Sequence, residues 1–205
     1  MKISSAEFVK SSANTSQLPS DQIPEFAFIG RSNVGKSSLI NMLVQKRELA
    51  KTSGTPGKTQ TINHFIINNA WYLADLPGYG FAKVSQEKRS LWENTLKAYL
   101  SERKNLMNVF ILVDLRIEPQ QSDLDFINKT GMKGISLSIV FTKTDKLGKQ
   151  VVRKNVDDYK KKLLESWEEL PPVFVTSATE GTGRDEILTF IESALKNFVA
   201  PEKTT

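Results

Sequence analysis

Gly30-Arg31-Ser32-Asn33-Val34-Gly35-Lys36-Ser37 decides how this chain is read. The stretch matches G-x-x-x-x-G-K-[ST], the spacing of a phosphate-binding loop (P-loop). Its two glycines let the backbone wrap so that successive N–H groups point inward around an anion. A helix opening at Lys36 adds unpaired N–H groups and the positive end of its dipole. In that arrangement Gly30 to Ser38 form one nucleotide-binding segment. The Lys36 ammonium reaches the outer phosphates, and the Ser37 hydroxyl is a Mg²⁺ ligand. The flanks agree. Phe26-Ala27-Phe28-Ile29 is a short apolar run that predicts a buried strand, and residues 36–45 predict the following helix.

Outward from this loop, short apolar runs alternate with longer amphipathic ones. Strands are predicted over 26–29, 62–68, 70–75, 107–114, 135–141 and 172–177, and helices over 36–45, 87–103, 121–130, 150–167 and 183–198. Ser122 is the expected cap of the third helix. The Asn68-Asn69 turn is too short for a crossover, so the strands it joins run antiparallel. The rest reads as right-handed βαβ units. The fold class is therefore α/β, a three-layer sandwich around a six-stranded, mostly parallel sheet with one antiparallel strand. Residues 1–21 read as a partly ordered arm with a pairing-competent piece at Ile3–Val9. Residues 22–198 read as the folded domain and 199–205 as a flexible tail. In such sheets ligands bind beyond the carboxyl ends of the strands, and every motif below falls at that edge.

Composition bounds the function. The 205 residues suit one α/β domain, and no apolar run is long enough to span a bilayer. The absence of cysteine excludes disulfides and thiolate metal sites and fits a cytoplasmic protein. The polar N-terminus lacks the layout of a secretory signal. A net charge of +5 permits an anionic partner such as RNA without requiring one.

Two further motifs follow in register. Asp75-Leu76-Pro77-Gly78 ends a predicted strand: the Asp75 carboxylate can hold Mg²⁺ through water, and the Gly78 N–H can meet a γ-phosphate. Thr142-Lys143-Thr144-Asp145 ends another. Asp145 can accept from both N1–H and the exocyclic amine of guanine, while the Lys143 stem lies along the base. Thr176-Ser177-Ala178, after the last strand, can offer a backbone N–H to the guanine carbonyl. Adenine has neither that carbonyl nor the paired donors, so the combination selects GTP and GDP.

This set of motifs resembles the translation-factor class of P-loop GTPases, the group that includes Era and TrmE. Gly30-Arg-Ser-Asn-Val-Gly-Lys-Ser-Ser38, Gly54-Thr-Pro-Gly-Lys-Thr-Gln-Thr-Ile-Asn63 and Asp75-Leu-Pro-Gly-Tyr-Gly80 together are similar to the bacterial EngB family, also called YsxC or YihA. The resemblance covers residues 22–198. It implies a monomeric GTPase that acts in assembly of the large (50S) ribosomal subunit, with GTP·Mg²⁺ bound and hydrolysed. It also implies roles for Gly57, Lys58, Thr59, Gln60 and Thr61, a loop that closes over the nucleotide. Thr59 completes the Mg²⁺ shell, with Thr61 as the competing choice. Lys36, Thr59 and Gly78 are the implied catalytic residues. Thr142 departs from the commoner Asn, and its shorter side chain is expected to weaken the ties between that loop and the P-loop.

Several residues have two readings. Tyr79 stands where many GTPases place a water-orienting Gln, and it has no carboxamide to do so. The Asn33 side chain either ligates a monovalent cation, K⁺ in similar GTPases, or braces the loop by hydrogen bonding. His64, the one histidine, falls within a strand and is read as structural. Trp71, Trp92 and Trp167 are read as packing residues, and Asp114 and Arg116 as a local ion pair. Lys160, Lys161 and Lys162, with Lys149, Arg153 and Lys154, form either a solvated helix face or an RNA contact. A P-loop metabolic kinase is the main rival reading. It would need a lid and an acceptor pocket, and would have no use for T-K-T-D.

Overall fold

Seven strands and five helices alternate along residues 1–50, 61–79 and 86–201, which are those described by the structure, a computed structural model. The strands are β1 (Ala6–Ser12), β2 (Glu25–Gly30), β3 (Ile62–Ile67), β4 (Trp71–Asp75), β5 (Leu106–Asp114), β6 (Leu137–Thr142) and β7 (Val173–Val175). The helices are α1 (Lys36–Val44), α2 (Gln86–Glu102), α3 (Gln121–Met132), α4 (Lys149–Leu164) and α5 (Arg184–Lys196). The strands form one sheet in the order β1-β3-β4-β2-β5-β6-β7. β3 pairs antiparallel with both β1 and β4, and the remaining pairs are parallel, so β3 alone runs against the rest.

The expected six strands are thus seven. Ala6–Ser12, expected to lie in an arm, adds to the sheet edge beside β3, with Ala6 and Ser12 buried and Phe8 edge-on to Phe65. Its register slips between Phe8 and Lys10. Such a bulge breaks the two-residue alternation by which a strand is recognised, and it protects an exposed edge from further pairing. The cap expected at Ser122 is also corrected. α3 begins at Gln121 with Gln120 in the cap position, so Ser122 lies inside the first turn.

Side-chain alternation along the central strands builds two cores. Phe26, Phe28, Phe110 and Leu112 face one layer, where Leu39, Ile40 and Leu43 of α1 and Ile187 and Ile191 of α5 cover them. Ala27, Ile29, Val109 and Ile111 face the other, beneath Trp92 and Leu96 of α2, Leu124 and Ile127 of α3, and Tyr159 and Leu163 of α4. Strands buried on both faces read as continuous apolar runs, and β2, β5 and β6 do so. Phe28 and Phe110 stack with ring centroids 4.7 Å apart, both without solvent exposure. Burying each such side chain contributes about 1.5–3 kcal/mol. The tryptophans pack as expected: Trp71 and Trp92 are core residues, and Trp167 lies against the α3 layer with its indole N–H donated to Asn128.

His64 is also structural. It is wholly buried in β3, with Nε2 3.2 Å from Oε2 of the equally buried Glu25, a charge-pair distance without hydrogen-bond geometry. Glu25 opens β2, at the opposite end of that strand from the P-loop.

Candidate functional site

The carboxyl ends of β2, β4, β5, β6 and β7 reach one edge of the sheet, at Gly30, Asp75, Asp114, Thr142 and Val175. β3 runs the other way and begins there, Asn63 being paired with Asp75, so Thr61 lies at the same edge. Topology thus gathers all the motifs that the structure describes.

The P-loop turns through two residues with positive φ, Asn33 (63°) and Gly35 (102°), before α1 starts at Lys36. Gly35 holds a conformation that L side chains rarely adopt, which is why glycine is required there. The Lys36 ammonium pairs with the Asp75 carboxylate, bringing the P-loop and D-x-x-G segments together. Gly78 rests on the start of the loop so closely that a Cβ would collide with the Gly30 carbonyl oxygen. Leu76 is buried and donates its N–H to Phe28 O at 3.0 Å.

The T-K-T-D segment is joined to the same loop. The Thr142 hydroxyl, which is buried, lies 2.7 Å from Val34 O and 3.1 Å from Val113 O. The tie to the P-loop is present despite the short Thr142 side chain, whose hydroxyl reaches the loop carbonyl directly. The Lys143 ammonium donates to Asn33 O and to Asp114 Oδ2, the latter at 2.9 Å. Asp114 and Arg116 form the expected ion pair at 2.8 Å. Partial burial pushes the Asp114 carboxyl up, but hydrogen bonds from Arg116 and Lys143 outweigh it and hold the group at about 2. Asp114 thereby orients Lys143, a role the sequence reading did not give it. Its register opposite Thr142 carried that signal.

Asp145 is held from two sides, by Lys146 Nζ at 3.0 Å and by the Ser177 hydroxyl at 2.9 Å. Both hydrogen bonds lower its pKa, Lys146 more than Ser177. Thr144 donates its hydroxyl to Thr176 O at 3.0 Å, and the Thr176 hydroxyl donates to Phe141 O at 2.8 Å. These bonds fix the segment that carries Ser177 and Ala178 beside the Asp145 carboxylate.

The sequence profile that matches residues 25–143 is described as a 50S ribosome-binding GTPase. A probable GTP-binding protein EngB of Phocaeicola vulgatus is 52% identical over 200 residues, covering 98% of this chain and all of that protein. Its counterpart in Porphyromonas gingivalis is 52% identical over 193 residues, covering 94% of this chain and 96% of that protein. This chain belongs to the EngB family of GTPases. Among solved structures, a probable GTP-binding protein engB superposes with a TM-score of 0.68 at 22% identity, over 85% of this chain and all of that one. Era in complex with MgGDPNP and a 16S ribosomal RNA fragment gives 0.66 at 24%, over 90% of this chain and 59% of Era. At such identities the likeness concerns the fold.

In this EngB-family GTPase, Gly57, Lys58, Thr59 and Gln60 lie outside the described residues. Thr61 is described, and its hydroxyl approaches Asn63 Oδ1 at 3.3 Å. Asn33 is exposed, and its loop-bracing contact is through the backbone carbonyl to Lys143. Tyr79 stacks on Phe126 of α3, with ring centroids 4.4 Å apart and planes at 16°. On α4, Lys154 pairs with Asp158 and Lys162 with Glu165, so part of that basic face is internally neutralised. No helix among the described residues is long and apolar enough to cross a membrane.

Proposed function

We propose that this GTPase is a monomeric cytoplasmic switch in assembly of the large ribosomal subunit, with Gly30–Ser38, Asp75–Gly78, Thr142–Asp145 and Thr176–Ala178 as its nucleotide site. The observation that carries the ribosomal part is the match of residues 25–143 to a family described as 50S ribosome-binding. The net charge of +5 is compatible with an RNA-containing partner. In this reading the Asp145 carboxylate, steadied by Ser177 and Lys146, accepts from the two guanine donors. Lys36 and the P-loop N–H groups hold the phosphates, and Gly78 senses the γ-phosphate.

The residues present fit Mg²⁺. Ser37, in the first turn of α1, and Asp75, held beside Lys36, are hard oxygen donors at the strand edge. The described residues contain no cluster of three or more acidic or histidine side chains. That suits Mg²⁺, which is held by one or two protein oxygens plus substrate phosphates and waters, and not by an all-protein cage. Bound there with nucleotide, it would neutralise charge on the phosphate oxygens. Thr59 or Thr61 would supply a further hydroxyl when the 57–61 loop closes. Lys36, Thr59 and Gly78 act by positioning and charge stabilisation while water attacks the γ-phosphorus. Asn33, whose side chain is exposed, would ligate K⁺ beside the phosphates.

Co-sedimentation with purified large subunits tests the switch. The protein should pellet with a non-hydrolysable GTP analogue and much less with GDP, and the binding should fall steeply with salt, as phosphate contacts require. Equal pelleting in both nucleotide states would sink the proposal.

A further inference from the structure

We propose that Asp114 and Arg116, at the end of β5 and just beyond it, are positioning residues that set how long the guanine nucleotide stays bound: Arg116 fixes the Asp114 carboxylate, and that carboxylate holds Lys143 across the P-loop. The proposal deepens the nucleotide-site reading and rests on it.

Lys143 has a φ of 62°, in the left-handed region that a residue with a long side chain seldom adopts. Such a conformation persists only where the surroundings over-determine it, and such residues collect at ligand sites. Here the Lys143 ammonium makes two bonds, one to Asn33 O and one to Asp114 Oδ2 at 2.9 Å. On the way its stem crosses the P-loop, where a Cβ on Gly35 would stand 3.7 Å from Lys143 Cε. Lys143 is not enclosed by packing: with Asn33, Asp114, Arg116 and Ile117 it lines a cavity of about 160 Å³ beside the loop. The direction of its side chain is therefore set by its two acceptors.

Of those acceptors, the Asn33 carbonyl belongs to the loop, while the Asp114 carboxylate has to be oriented. Arg116 orients it. Nε donates to Oδ1 at 2.9 Å and Nη2 to Oδ2 at 2.8 Å, a two-point fork that fixes the carboxylate plane. The Arg116 backbone N–H adds a bond to Oδ1 at 3.1 Å. With Lys143 on Oδ2, each oxygen accepts two bonds, which fills its capacity. The Arg116 side chain is 44% exposed and that of Asp114 13%. An ion pair with one end so exposed adds little to folding stability. What it supplies is a fixed carboxylate at the point where Lys143 needs one. A lysine at position 116 would keep the charge without the fork.

Release of a fluorescent GDP and of a fluorescent non-hydrolysable GTP analogue is timed by stopped flow for the parent, Asp114→Ala, Arg116→Ala, Arg116→Lys and the double alanine variant. Asp114→Ala should speed release of both nucleotides about tenfold, the scale for loss of a charge-assisted hydrogen bond. Arg116→Ala should speed it about three- to fivefold, as a partly exposed ion pair allows, and Arg116→Lys nearly as much. The double variant should match Asp114→Ala, because Arg116 acts only through that carboxylate. In steady-state GTP hydrolysis KM should rise, with kcat moving less. The unfolding temperature of the nucleotide-free protein should stay close to the parent's, which a merely structural ion pair would not predict alongside faster release. Parental release rates in folded Asp114→Ala would overturn the proposal, as would acceleration confined to the GTP analogue or a double variant faster than Asp114→Ala alone. Should Asp114→Ala not fold, Asp114→Asn and the two Arg116 variants decide by the same readouts. GDP binding by the parent is measured first, since its absence refutes the nucleotide site itself.

Discussion

Replacing Glu25 by Gln tests whether the end of β2 farthest from the P-loop is held by an ionised carboxylate. Glu25 is fully buried. Its Oε2 receives Arg103 Nη2 at 2.7 Å and Nε at 3.1 Å, its Oε1 accepts the Tyr99 hydroxyl, and His64 Nε2 stands 3.2 Å away. Burial alone pushes this carboxyl up, but His64 and Arg103 outweigh it and hold the group at about 2, against an ordinary 4.5. The folded state therefore stays ionised where the unfolded chain has begun to take up a proton. The unfolded state binds more protons there, and stability rises with pH. At roughly 1.4 kcal/mol per pH unit the contribution is on the order of 3 kcal/mol. It is fully present above pH 4.5 and lost as pH falls toward about 2. Removing one partner of a buried pair costs about 3–5 kcal/mol. The low end applies here, because Arg103 also donates to Pro19 O at 2.8 Å and keeps 12% of its side chain in solvent. Urea unfolding of parent and Glu25→Gln, followed by tryptophan fluorescence across this pH range, is the assay. The variant should be less stable above pH 4.5, with the gap closing as the parent's Glu25 protonates, while GDP affinity above that pH is unchanged. A gap that does not vary with pH would refute the assignment to an ionised Glu25.

Asp145→Asn should lose the paired hydrogen bonds to guanine, at about 1–3 kcal/mol for each buried group left unpaired, so that GTP affinity falls at least about tenfold and xanthine nucleotides gain. Calorimetric titration with GTP and XTP reads both, and undiminished GTP binding would exclude this loop as the base reader. GTP hydrolysis should run faster in potassium than in sodium at equal ionic strength, and Asn33→Ala should erase the difference while GTP still binds. Identical parental rates in the two salts, with and without large subunits, would leave Asn33 as a loop residue only.

What was legible in the sequence follows from where the physical signal is local. Gly35 must take a positive φ and Gly78 must lie against Gly30, so their spacing is visible without any tertiary information. β2, β5 and β6 are buried on both faces and read as unbroken apolar runs. β1 was legible only in part, as a pairing-competent piece at Ile3–Val9, because its bulge interrupts the alternation and because its pairing partner β3 lies some fifty residues downstream. The role of Asp114 was illegible for a related reason. It acts through Lys143, distant in the chain, which only the sheet register brings near.

The ties around the P-loop are unequal, and that inequality bears on how nucleotide state is read. On the guanine side, Thr142 bonds Val34 O and Lys143 bonds both Asn33 O and Asp114, so the base-reading and phosphate-binding segments form one unit. These bonds use backbone carbonyls and a strand-end carboxylate, and none of them engages the Asp145 side chain. On the D-x-x-G side the tie is the Lys36–Asp75 ion pair and the packing of Gly78 on Gly30. Here the paired groups are the ones that phosphate and Mg²⁺ would engage. On the proposed reading of the site, a γ-phosphate arriving at this point would compete for the tie itself, and the segment from Asp75 to Tyr79 would readjust. On the same reading, the guanine side would supply affinity common to GTP and GDP, and the D-x-x-G side would supply the difference between them. Tyr79, next to Gly78, stacks on Phe126 of α3 and so ties this segment to that helix.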